Sequence, residues 1–244
     1  QGTVFKNAQD KFRQISRYIE LLDPLLDALP PGPLSIVDMG SGKGYLTFAL
    51  YDHLRHTRQR EVRITGIEYR EDLVNLCNRI AAQCDYTQLA FLRGSIADYP
   101  QADADVVIAL HACDTATGDA IAQGIRAGAQ LIVVAPYCHK QIRRAMQAGN
   151  SPHPLSFVTR HGIFMERQAE MITDALRALI LERHGYKTRA FEFVSDAHTA
   201  KNVLVVAQRR ATPPDTGQLR ALQQQIDDAK KLFGIGQHYL ETLV

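Results

Sequence analysis

"DMGSGKGYL", Asp38 to Leu46, sets three glycines and a lysine between the apolar run "LSIV" (34–37) and the helix-like "TFALYDHL" (47–54). A glycine-rich turn from strand to helix commonly holds a ligand at the helix N-terminus. The spacing excludes two familiar loops. A P-loop ending in Gly42-Lys43 needs Gly at 37 and a hydroxyl after the lysine, but the chain has Val37 and Gly44. A dinucleotide loop counted from Gly40 and Gly42 needs Gly at 45, where Tyr45 stands. What remains is acid-x-Gly-x-Gly-x-Gly: Asp38, Gly40, Gly42 and Gly44, with Ser41 inside the turn.

The acid narrows the ligand. A carboxylate ahead of the turn repels phosphate and attracts an ammonium group. S-adenosylmethionine (SAM) carries an ammonium, a sulfonium and no phosphate. Glycines let the backbone approach such a ligand where a Cβ would clash. Glu68 ends the apolar stretch "ITGIEY", placed to bond ribose hydroxyls. Ser95 and Ile96 in "LRGSIADY" stand where an adenine edge and ring face would be met, and Leu110 ends the next strand on the same side. Taken alone, Glu68 is equally a solvated acid at a strand end. In order with the glycine loop, each piece falls at the C-terminal end of a strand, where open α/β sheets bind ligands.

Outward from the loop, strands are expected near 34–38, 62–67, 88–92, 105–110 and 130–135, alternating with helices near 44–57, 71–83, 117–127 and 139–147. Such alternation predicts a parallel sheet covered on both faces. The stretch 150–163 breaks the rhythm and is expected as a loop; a long helix follows from Glu166 to Gly185. "YKTRAFEFVS" and "KNVLVVAQR", joined by "DAHTA", predict an antiparallel hairpin at the sheet edge. The fold class is therefore α/β: a seven-stranded Rossmann-like sheet with a C-terminal antiparallel hairpin and helical additions at both ends. The expected divisions are 1–30 for an N-terminal helix bent near Pro24, 31–210 for the ligand-binding domain, and 211–244 for a linker and helical tail. In the first helix Phe12, Ile15, Ile19, Leu22, Leu25 and Leu26 recur at helical spacing, with Asn7 or Asp10 as cap.

Composition adds bounds. The 244 residues suffice for one α/β domain with additions. A net charge of +2 neither demands nor excludes a nucleic-acid partner, since binding needs a basic patch. The four cysteines, Cys77, Cys84, Cys113 and Cys138, lack a disulfide spacing and are expected as reduced thiols in a cytoplasmic protein. No apolar run is long enough to span a bilayer, so no membrane partner is expected. The chain starts at Gln1, and a preceding region of the same protein is an expectation.

Across about 34–209 the chain resembles the class I SAM-dependent methyltransferases. "HACDTATGDAI" (111–121) and "APYCHK" (135–140), together with "RHGIFMERQAEMITDALRALILERHGY" and "FVSDAHTAKNVLV", resemble bacterial methyltransferase domains. These are similar to eukaryotic tRNA ribose methyltransferases with His-x-Cys-Gly-x-Ala-Thr-Asp and Cys-Cys-His-His stretches. The chain keeps His111, Cys113, Ala116, Thr117, Cys138 and His139. It differs in Asp114 for the Gly, in an added Gly118 before Asp119, and in Tyr137 and Lys140. The resemblance implies SAM as cofactor and RNA, tRNA or rRNA, as acceptor; a protein or small-molecule acceptor and a non-catalytic SAM-binding module are the alternatives.

His111 and Asp114 follow the fourth strand and His139 the fifth, the expected acceptor side, where each could take a proton or orient the acceptor. Two other chemistries use the same residues. His111, Cys113, Cys138 and His139 are zinc ligand types but lack Cys-x-x-Cys spacing, so no metal is expected. Cys113 and Cys138 could attack a pyrimidine carbon, but the Pro-Cys and Thr-Cys contexts of that chemistry are missing. Basic residues cluster at Lys6, Lys11, Arg13 and Arg17, and at Lys140, Arg143 and Arg144 beside the predicted site.

Overall fold

The structure is a computed structural model, and it describes residues 9–99, 103–110, 112, 114–148, 155–192 and 203–244. His111, Cys113, Asn7, the Asp10 side chain, 149–154 and the "DAHTA" connection lie outside the described residues.

Seven strands form one sheet in the order β3-β2-β1-β4-β5-β7-β6. They are β1 (Leu34–Met39), β2 (Val62–Glu68), β3 (Leu89–Arg93), β4 (Val106–Ala109), β5 (Leu131–Val134), β6 (Tyr186–Glu192) and β7 (Val203–Arg209). The first five are parallel; β7 runs antiparallel between β5 and β6, as the paired runs at 186–209 predict. The order reverses between β1 and β4, which flank the point where crossovers depart to opposite sides.

The strands are apolar on both faces because both are covered. Ile36, Ile64, Phe91, Val106 and Ile108 face α1 (Gln9–Asp27), α2 (Tyr45–Asp52) and α3 (Glu71–Gln83). Val37, Ile67, Val107, Ala109 and Ile132 face the other layer. That layer comprises α4 (Thr115–Arg126), α5 (Lys140–Ala148), α7 (Gly162–Arg183) and α8 (Thr216–Phe233), after a single-turn α6 (Ser156–Thr159). The switch from Ile36 to Val37 is the period of two in one strand.

Several boundaries differ from those the sequence suggests. The loop expected over 150–163 holds α6, and α7 begins at Gly162, with Met165 packed on the core. α1 is the expected helix, over Gln9–Asp27, with Pro24 inside its last turn. The tail is not one helix: Gly234 ends α8 in the left-handed region (φ 67), Ile235 N–H returns to the Lys230 carbonyl at 2.8 Å, and a 3-10 turn follows at Tyr239–Thr242. Ile235, His238 and Leu240 are buried there. No helix among the described residues is long and apolar enough to cross a membrane.

Candidate functional site

At the C-terminal edge of β1, β2 and β4 lies a cavity of about 600 Å3. Asp38, the last residue but one of β1, lines it. It is 6% exposed, and its one hydrogen-bond partner among the described residues is the Thr47 hydroxyl, which donates to Oδ2 at 2.7 Å. Burial raises its carboxyl from the usual 3.8 to about 6, with the Thr47 bond opposing. An unmatched buried carboxylate of this kind is stabilised by an incoming cation.

The glycine turn is pinned to β2. Gly40 and Ser41 N–H both donate to the Ile67 carbonyl, at 2.9 and 3.0 Å, and the buried Ser41 hydroxyl points at the same oxygen. Gly66 permits this approach: a Cβ there would stand 2.5 Å from Phe91 and 2.9 Å from Ser41 Oγ. Gly40 and Gly42 hold φ of 80° and 58°, and a Cβ on either would meet nothing of the protein nearer than 3.8 Å. Their bare α-carbons face open cavity, as a backbone that cradles a ligand requires. Gly44 differs: its α-carbon faces Phe91 and Cys77, about 3 Å from a Cβ, and it does not line the cavity.

Glu68 binds the turn from the other side. Its Oε2 accepts from Gly42 N–H at 2.9 Å, and its Oε1 accepts from Arg70 N–H and Nε at 3.0 Å. Burial pushes its carboxyl up, but Arg70 and the two backbone donors outweigh that and hold it below the usual range. The carboxylate is thus fixed and ionised, and each oxygen retains lone-pair capacity for a hydroxyl donor. Ile96 and Leu110 line the wall; Ser95 stands beside Ile96 but outside the lining, its hydroxyl accepting from Ala97 N–H at 3.2 Å.

Of the acceptor-side candidates, His111 and Cys113 lie outside the described residues, but their neighbours Leu110 and Ala112 both line the cavity. Asp114, the residue before α4, is half-buried and outside the lining; its carboxylate faces Gln141 N–H at 3.4 Å. His139 is 2% exposed, with its ring 3.3 Å from Asp174 on α7, also outside the lining. Cys138 is a half-buried free thiol away from the cavity. Among the described residues no group of three or more His, Cys, Asp or Glu is placed to hold a metal ion.

Sequence reasoning missed the α1 side chains. Lys11, Ile15 and Tyr18 close the cavity opposite the glycine turn. Lys11 belonged to a basic cluster in sequence, yet burial lowers its pKa and its Nζ donates to Gln14 at 3.0 Å. The available signal was Lys11 beside the apolar stripe of α1 rather than opposite it. A second cleft, about 570 Å3, opens at the far edge of the sheet around Ser35, Arg63, Asp105 and Arg209. Its polar groups satisfy one another, as in the 2.9 Å bond from Ser35 N–H to Asp105.

A family model described as methyltransferase domain matches residues 10–145, more than half of the chain. The chain belongs to this family of methyltransferase domains. A methyltransferase domain implies SAM as cofactor, and the cavity suits it in three respects: a buried carboxylate with no cation beside it among the described residues, for the ammonium, open left-handed glycines, and a fixed acid at the end of β2. When bound, SAM supplies a methyl group on a sulfonium, open to in-line displacement.

Among solved structures the citrinin polyketide synthase CMeT domain is similar in fold. It is 14% identical with a TM-score of 0.52, and the match covers 82% of this chain and 53% of that one. A SAM dependent methyltransferase from Aquifex aeolicus is 14% identical at a TM-score of 0.48, covering 85% of this chain and all of that one. The chain spans about half the length of the first of these. Comparison with curated proteins gave no match.

Proposed function

We propose that the protein transfers the SAM methyl group to RNA. The observation that carries this reading is a set of exposed aromatic and basic side chains that follow the strand ends, of which Lys43, Tyr45 and Arg70 line the cavity. Tyr45 lines the cavity and is 51% exposed; Tyr69 follows β2 at 72% and Tyr137 follows β5 at 53%. Lys43, Arg70, Lys140 and Arg144 are exposed beside them in the chain. Exposed rings offer faces on which nucleobases stack, while the cations meet phosphates. The likeness of 111–121 and 135–140 to tRNA ribose methyltransferases supports the same acceptor.

In this reading Asp38, Gly40, Ser41, Gly42, Glu68, Ile96 and Leu110 hold the cofactor, with Gly44 and Ser95 shaping the turns that carry them. His111, between two cavity-lining residues in the chain, and Asp114 serve the acceptor. SAM carrying a tritiated methyl group, incubated with separated RNA, protein and metabolite fractions, tests the proposal. Label in RNA that is lost in His111→Ala supports it. Label confined to protein or metabolites, or to none of the fractions, contradicts it; the last result leaves a SAM-binding module without transfer.

A further inference from the structure

Behind the acceptor side of the cavity lies a polar cluster that the cofactor does not use. Asp174 and Arg177 stand on the buried stripe of α7 at 6% and 2% exposure. Arg177 Nη1 donates to Asp174 Oδ1 at 2.9 Å, and Nη2 donates to the carbonyl of Asp114 at 2.8 Å. The other Asp174 oxygen faces His139 Nε2 at 3.3 Å. Asp114 has φ 49 and ψ −109, a backbone state that non-glycine residues adopt only when their surroundings impose it. Its carboxylate meets Gln141 N–H, and the Gln141 side chain in turn accepts from Tyr239 N–H and donates to the Gln237 carbonyl.

The same short segment has two sides. Leu110, Ala112 and Ala116 line the cavity, and the Thr117 hydroxyl holds the Ala112 carbonyl at 2.9 Å. The Asp114 carbonyl, between them in sequence, is held by Arg177 from 63 residues away. We propose that Arg177, oriented by Asp174, is a positioning residue that fixes the chain around Asp114, from Ala112 to Ala116, and so sets where the methyl acceptor is held.

Three observations favour this over a purely structural role. A buried ion pair adds little net stability relative to apolar side chains of similar volume, so stability alone does not explain it. Burial pushes the Arg177 pKa down while Asp174 and Asp114 hold it up, and the bond to Asp174 Oδ1 fixes the direction in which the second arm of the guanidinium reaches Asp114. The bond to Asp114 falls on strained backbone, where a fixed charged donor decides between two conformations. His139, buried against Asp174, belongs to this support.

The inference rests on the cavity being the site of methyl transfer, and the test separates the two. Three variants of the full chain are compared: Arg177→Met, Arg177→Lys, and the double Arg177→Met with Asp174→Leu. The readouts are the unfolding midpoint, calorimetric affinity for S-adenosylhomocysteine, amide hydrogen exchange over 112–118, and single-turnover transfer to total RNA. Arg177→Met leaves Asp174 buried without its guanidinium partner, with His139 beside it, and lowers the midpoint, whereas the double variant recovers it. If Arg177 positions the segment, the double variant still exchanges there about tenfold faster than wild type and loses about tenfold or more in transfer, with S-adenosylhomocysteine affinity within about threefold. Arg177→Lys, which keeps the ion pair but has no second arm, shows the same loosening at a near wild-type midpoint. Wild-type exchange and transfer in either stable variant overturns the proposal. It is equally overturned if neither variant reaches the wild-type midpoint, because the pair then serves the fold as a whole. Exchange needs no acceptor, so a wild type that transfers to nothing counts against the proposed function while exchange still decides this inference.

Discussion

Asp38 carries opposed demands of folding and binding. Its carboxyl is raised to about 6 because burial disfavours the charge and Thr47 alone offsets it. Ionising it in the free protein costs on the order of 3 kcal/mol, at about 1.4 kcal/mol per pKa unit. The folded state holds this proton more tightly than the unfolded chain. The penalty is therefore absent below about pH 4, grows between pH 4 and 6, and is complete above that. Asp38→Asn, which keeps an acceptor for Thr47, is expected to raise the unfolding midpoint at pH 7.5, with the gain vanishing toward pH 4. SAM affinity should rise as pH climbs through 6 in wild type, and fall about ten- to a hundredfold in Asp38→Asn, without that pH dependence. Parallel unfolding and calorimetry across pH 4–8 check both. Asp38 was readable in sequence because a carboxylate before a glycine turn is poorly explained by phosphate. Its dependence on Thr47 was not, since the helix register that brings them together follows from the turn geometry.

At the scale of elements, β1, the glycine turn and α2 act as one unit fitted against β2. The contrast between two glycines tests this. In Gly66→Ala the new methyl meets Phe91 at 2.5 Å, and such overpacking costs about 1–3 kcal/mol in stability. In Gly40→Ala it meets only Ile96 at 3.8 Å, so about 1–2 kcal/mol arises from the left-handed φ, and the methyl enters the space meant for cofactor. The expected pattern is lost stability for both, but a loss of SAM affinity in Gly40→Ala beyond that in Gly66→Ala, read by denaturant unfolding beside calorimetry. The three loop glycines looked alike in sequence. Only packing separates Gly40 and Gly42, which face the cavity, from Gly44, which faces Phe91 and Cys77. Strand positions were readable from apolar runs, because each parallel strand is buried on both faces. The start of α7 was not, because "HGIF" has exposed side chains and no periodic apolar face to announce a helix.

Across the whole molecule, the two apolar layers leave the C-terminal edge of the sheet free at the reversal between β1 and β4, and the cavity sits there. Alternating strand and helix signals, closed by an antiparallel pair, carried this architecture from sequence. Contacts between distant segments did not. Lys11, Ile15 and Tyr18 reach the cavity because α1 lies across α2, and Arg177 meets Asp114 because α7 packs beneath α4. In sequence, Asp174 and Arg177 are an ordinary i, i+3 pair within "MITDALRALIL"; their burial is a property of the assembled layer. The central claim is that this cavity, built on the Asp38–Gly44 turn, is where SAM binds. Titration calorimetry of the full chain with SAM, wild type against Gly42→Arg, tests it most directly. Gly42 has φ 58 and no protein atom nearer than 4.0 Å to a Cβ, so an arginine there strains the turn by only about 1–2 kcal/mol while filling the cavity. The account predicts one SAM per wild-type chain, and at least about a hundredfold weaker binding by a Gly42→Arg protein that remains folded, a change of about 2.7 kcal/mol. A folded wild type that binds no SAM, or a Gly42→Arg protein that binds it equally well, would contradict it.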